Sequence, residues 1–99
     1  MGLFITFEGI EGCGKTTQVR FAAEYLRKKG IAPVVTQEPG GTPLSDSIRR
    51  ILLNRGGFRI GANAEVLLFA AARAQHVEEI ILPALKDNRV VLCDRFSDA

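Results

Sequence analysis

Cysteine is scarce in this sequence: Cys13 and Cys93 are the only two, far apart in the chain. Neither their number nor their spacing suits a zinc cluster or a disulfide framework, so a reduced, cytosolic protein is expected. Long apolar runs are also lacking. The longest, Val66 to Ala72, lies between Glu65 and Arg73 and falls well short of the ~18–20 residues a membrane helix needs. No basic segment opens the chain, and Glu8 comes early, so no secretory signal is expected. Met1-Gly2 with Thr6 fits the loose myristoylation pattern. The apolar residues that follow serve a first β-strand equally well, and that reading is preferred. Net charge is only +2 over 99 residues, too little for polyelectrolyte binding of nucleic acid. No internal repeat or linker breaks the chain.

What is present is ordinary for a globular chain, with 46% apolar and 24% charged residues. At 99 residues it is one domain at most, with a modest core. Most of the thirteen cations are arginines, which favours planar, bidentate grip on phosphate or carboxylate.

Residues 3–8, apolar and aromatic, read as a buried strand running into a Gly-rich turn. From Lys15 onward Val19, Ala22, Ala23 and Leu26 recur at helical spacing, with Lys28, Lys29 and Gly30 as a stop. Residues 33–37 form a second strand, closed by Pro39-Gly40-Gly41. A second helix starts at Thr42 as N-cap with Pro43 behind it, buries Leu44, Ile48, Ile51 and Leu52, and stops at Gly56-Gly57. Asn63 is expected to cap a third helix reaching about Gln75, and Pro83 to kink or restart the helical stretch over 76–87. Residues 89–93 make a third strand ending at Asp94. The order β-α-β-α-α-α-β predicts a parallel α/β sheet with crossover helices.

Gly9-Ile10-Glu11-Gly12-Cys13-Gly14-Lys15-Thr16 matches the phosphate-loop pattern G-x-x-x-x-G-K-[ST], placed as its mechanism demands between a strand and a helix. Glycines let the backbone wrap phosphate oxygens, and converging N–H groups form an anion nest at the positive end of the helix. Lys15 then reaches the β- and γ-phosphates of ATP, and the Thr16 hydroxyl ligates Mg²⁺. Thr17 completes the expected phosphate-binding segment. Cys13 is inert packing within that loop, or a thiol sensitised by the same N–H groups.

The third strand delivers Asp94 and Arg95 to the same sheet edge as the loop. Asp94 is a candidate Mg²⁺ ligand beside Thr16, and Arg95 a cation aimed at the transferring phosphoryl group. The plain alternative is a helix cap at Asp94 and a surface charge at Arg95. Phe69 on a helix is more often core than base-stacking, yet Arg73 shares its face one turn on. Glu38 reads as an exposed strand-end charge, and His76 as structural or solvated, with no second ligand or nucleophile placed beside it.

Four segments together resemble the thymidylate kinase family: Phe7 through Thr17, Glu38-Pro39-Gly40-Gly41-Thr42, Leu67 through His76, and Asp94-Arg95-Phe96-Ser97-Asp98. They occur in the family's order and span the chain. The resemblance implies a P-loop NTPase-type parallel sheet with flanking helices, present as its N-terminal half. It implies transfer of the γ-phosphoryl of Mg·ATP to thymidine 5′-monophosphate (dTMP). Glu11 would meet the acceptor's 3′-hydroxyl, Phe69 stack on thymine and Arg73 bond the base edge. Arg95 would grip the acceptor phosphate and the transferring group, while Glu38 and Arg49 complete the acceptor set. Where some members carry an Arg in the phosphate loop this sequence has Gly12, and the type it resembles supplies that Arg from a lid segment beyond residue 99. A homodimer through the third-helix region is also implied, although core packing accounts for that apolar stripe equally well. Other readings are a P-loop kinase for a different nucleoside monophosphate or small metabolite, and a P-loop nucleotide-binding or switch module.

Overall fold

Val91, Leu92 and Cys93 are completely buried in succession. A strand apolar on both faces belongs in the middle of a helix-covered parallel sheet. The computed structural model describes residues 2–9, 14–53, 57 and 59–96. In it β3, Val90–Phe96, runs parallel between β1, Leu3–Gly9, and β2, Val34–Glu38, in the order β1-β3-β2. The outer strands are less covered, with the apolar Leu3, Phe4 and Val35 exposed.

Helix α1, Lys15–Lys28, carries the chain outward from β1 to β2, packing on β1 and β3. The return to β3 uses α2, Pro43–Leu52, then α3, Ala62–His76, a π turn over Val77–Ile81, and α4, Leu82–Lys86. Outward and inward crossovers of the same right hand put α1 on one face of the sheet and the later helices on the other. Ile81, Ala84 and Val91 form the core beneath the later helices, with Val34, Val77 and Leu85 packed against it.

The expected element order holds, and Thr42 caps α2 through its hydroxyl, which accepts from the Ser45 N–H at 3.0 Å. Several local expectations are corrected. Gly61, in extended conformation, is the N-cap of α3, so Asn63 lies inside its first turn. Leu44 is half exposed, and the buried positions of α2 are Ser45 and Ile48. The Ser45 hydroxyl donates to the Ala72 carbonyl at 2.7 Å and accepts from Thr42 Oγ1 at 2.9 Å, so a polar tie docks α2 on α3. Helix α2 ends at Leu52, before the expected glycine stop, of which Gly56 lies outside the described residues. β3 continues through Asp94 and Arg95 to Phe96, paired on both sides as far as Arg95. Pro83 does restart the helix, at the first turn of α4. Its ring would crowd the carbonyl four residues back, that of Glu79, which lies in the widened π turn.

Candidate functional site

Alternation along β3 sends Asp94 and Arg95 to opposite faces of the sheet. Asp94 faces α1. Gly14 precedes that helix at φ 88°, a left-handed conformation open to glycine. Lys15, almost fully buried, places Nζ 2.5 Å from Asp94 Oδ1 and donates to the Arg95 carbonyl at 3.2 Å. Thr16 and Thr17 are exposed at the helix start, and Thr16 shares with Asp94 the lining of a groove of about 510 Å³ that also holds Thr36 and Gln37.

Asp94 Oδ1 is buried and, beyond the Lys15 ion pair, has no hydrogen-bond partner among the described residues. A carboxylate with spare lone pairs beside an exposed hydroxyl is a donor set of the kind Mg²⁺ takes, so Thr16 and Asp94 fit that ion. Of the phosphate loop, Gly9 ends β1 in register with Phe96. Ile10, Glu11, Gly12 and Cys13 lie outside the described residues.

Arg95 faces α3. The register sets it between Glu8 on β1 and Glu38 on β2. Its Nε donates to Glu38 Oε1 at 3.1 Å and its Nη1 to Glu8 Oε2 at 3.3 Å. Arg73 Nε, from α3, donates to the same Glu38 oxygen at 3.1 Å. The other oxygen, Oε2, is 2.9 Å from His76 Nδ1, and His76 Nε2 is 2.6 Å from Thr36 Oγ1.

Glu38 is therefore buried, and not the exposed strand-end charge its position alone suggests. Burial by itself would push its carboxyl up. The hydrogen bonds from His76 and Arg95, with the Arg73 and Arg95 charges, outweigh it and hold the carboxyl below its ordinary 4.5. For Arg95 burial works against the cation, and the bonds and charges of Glu38 and Glu8 more than offset it, leaving its pKa raised.

Glu38, Arg73 and Arg95 line a cavity of about 600 Å³ together with Pro39, Val66 and Phe69. That volume is in the range of small-molecule sites. Phe69 is half-buried and lines the cavity, so its ring is available to a flat ligand. Two guanidiniums here face two carboxylates, Glu38 and Glu8, and their forked N–H donors suit an anionic group such as a phosphate. Arg49 stands in the last turn of α2, outside the residues that line the cavity.

His76 is fully buried and hydrogen-bonded, which decides its structural-or-solvated alternative for the former. With Glu38 and Cys93 it forms a compact trio of metal-type donors. Burial and then the Glu38 charge push the Cys93 thiol up to about 12, so it is protonated at neutral pH. The carboxylate and imidazole are already engaged. Thr36 and His76 were not singled out for the site by sequence. The available signal was same-face spacing, Thr36 with Glu38 on a strand and Arg73 with His76 on a helix.

A family profile described as thymidylate kinase matches residues 7–99. The chain belongs to the thymidylate kinase family. A thymidylate kinase of Syntrophus aciditrophicus is 66% identical over 99 residues, all of this chain and 45% of that protein. One of Geobacter sulfurreducens is 62% identical over the same span, 46% of its length. The crystal structure of thymidylate kinase from Ehrlichia chaffeensis superposes with a TM-score of 0.81 at 44% identity, over 96% of this chain and 53% of that one. The P-loop-type parallel sheet with flanking helices is thus the family's fold, and the chain spans about half the length of the curated relatives it matches. No helix among the described residues is long and apolar enough to cross a membrane.

Proposed function

We propose that this chain supplies the phosphate loop and the acceptor pocket of an ATP-dependent kinase that converts dTMP to its diphosphate. On this reading residues 1–99 are the N-terminal part of a single P-loop kinase domain, acting in the cytoplasm. The observation that carries it is the partition at the end of β3. Asp94 meets Lys15 at the start of α1 on one face, while Arg95 meets the cavity of Phe69 and Arg73 on the other. A donor phosphate and an acceptor phosphate held on those two sides approach each other across one strand end, as in-line transfer requires.

Lys15 releases Asp94 to bind the β- and γ-phosphates, with residues 9–17 as the surrounding cradle. Thr16 and Asp94 hold Mg²⁺, which when bound neutralises charge on the phosphate oxygens. Arg95 grips the acceptor phosphate and stabilises charge on the group in flight. Phe69 stacks on thymine, Arg73 donates to its edge, Glu38 holds both arginines, and Glu11 and Arg49 complete the acceptor contacts. The exposed Val66 and Leu67 on α3 support assembly of two copies through that helix.

The test is a coupled ADP-release assay at the relatives' full length, with each nucleoside monophosphate offered as acceptor. dTMP is expected to give the fastest turnover. ADP release no faster than with water removes the kinase reading, and faster turnover with dCMP or AMP removes only the substrate.

A further inference from the structure

The sequence contains one histidine, His76, and it is buried to 0% exposure at the C-terminal end of α3. It lies behind the cavity, not in its lining. Its ring spans two residues of β2: Nδ1 faces Glu38 Oε2 at 2.9 Å and Nε2 faces Thr36 Oγ1 at 2.6 Å. An ionised carboxylate only accepts, so Nδ1 carries the hydrogen and donates to Glu38. The Thr36 hydroxyl then fixes the far side of the ring.

The seat is shaped for this ring. A Cβ on Gly41 would fall 2.6 Å from His76 Cδ2 and 2.7 Å from Thr36 Oγ1, so only glycine there leaves room for the imidazole. Glu38 in turn uses its second oxygen to hold Arg73 Nε and Arg95 Nε, both at 3.1 Å. Without the imidazole, one carboxylate oxygen loses its donor and the carboxylate is free to rotate. Both guanidiniums would then lose a fixed anchor, although Arg95 keeps Glu8.

We propose that His76 is a positioning residue: through Glu38 it sets the two arginines that face the cavity. The relay runs Thr36–His76–Glu38 and ends at Arg73 and Arg95. This deepens, and rests on, the assignment of that cavity to an anionic nucleotide acceptor.

Asparagine places its side-chain amide nitrogen where His Nδ1 stands, and glutamine places its own nearer Nε2. His76→Asn therefore keeps the donor to Glu38, while His76→Gln keeps only the Thr36 contact. The direct readout is the Arg73 and Arg95 Nε–H signals in ¹H–¹⁵N spectra, which hydrogen bonding slows in exchange with water. Both signals are expected in the native protein and in His76→Asn, and are expected to broaden or vanish in His76→Ala and His76→Gln.

In turnover, His76→Ala and His76→Gln are expected to raise KM for dTMP about tenfold to a hundredfold, as loss of positioning does. KM for ATP stays unchanged, and His76→Asn returns KM for dTMP to near the native value. Thr36→Val should give an intermediate rise. A folded His76→Ala protein with native arginine signals overturns the proposal. If that variant does not fold, equal behaviour of the Asn and Gln variants overturns it instead. Absence of dTMP-dependent turnover in the native protein removes the functional reading, and the arginine signals still decide the relay.

Discussion

Glu38 concentrates three donors on two oxygens at a site only 5% exposed. Arg73 and Arg95 are themselves 56% and 25% exposed, so losing the charge costs about 1–3 kcal/mol, and Glu38→Gln is expected to lower the unfolding free energy read from urea titration at neutral pH by that amount. Because the native carboxyl titrates below its ordinary 4.5, its ionised form stabilises the fold fully above that pH. That contribution is lost as pH falls through the depressed native value. The gap between the native protein and Glu38→Gln should therefore shrink in urea titrations carried from pH 7 down to pH 3. A gap that widens towards acid would contradict the assignment. Cys93 gives a second residue-scale expectation. A buried thiol pushed up to about 12 holds almost no thiolate at pH 8, and thiolate is the reactive form. Peptide mapping after iodoacetamide treatment should find Cys93 unmodified in the native protein and alkylated in urea.

At the scale of elements, the site depends on α3 being docked at the right height against β2. The tie made by Thr42, Ser45 and the Ala72 carbonyl does this from the start of α2. Thr42→Ala removes the cap of α2 and leaves the Ser45 hydroxyl without one partner, so a loss of about 1–2 kcal/mol is expected from thermal or urea unfolding. Capping at Thr42-Pro43, the stripe of Val19 and Ala23, and the buried run Val91-Leu92-Cys93 were all legible in sequence because each is a local signal. Placing Glu38, Arg73 and Arg95 in the acceptor set came from family resemblance. Three features resisted a local reading for one reason. The Ser45–Ala72 tie, the burial of Glu38 and the contacts of His76 all depend on which faces of α3 meet α2 and β2. Same-face pairs can be read from periodicity, but the meeting of two faces remote in sequence is a property of the assembled sheet. The π turn belongs with these, since sequence marked only Pro83 and not the widened turn before it.

For the whole molecule, the central β3 acts as a divider, and neighbouring residues on it face opposite sides of the sheet. Asp94 and Arg95 are adjacent in sequence, yet one pairs with Lys15 on the α1 face and the other with Glu38 on the α3 face. If the proposed function holds, substitutions at these two positions should separate kinetically despite their adjacency. Asp94→Asn keeps shape and removes charge from the Mg²⁺ side. It should raise the Mg²⁺ concentration needed for half-maximal rate and lower kcat by roughly 10²-fold, the scale of a lost electrostatic stabiliser, with KM for dTMP unchanged. Arg95→Gln removes a cation that faces both the acceptor and the group in flight. It should lower kcat on a similar scale and also raise KM for dTMP, with the Mg²⁺ dependence unchanged. Initial rates measured across a grid of Mg²⁺ and dTMP concentrations read both effects in one experiment. Equal responses of the two variants along both axes would mean that the strand end is a single shared site, and the two-sided arrangement would have to be abandoned.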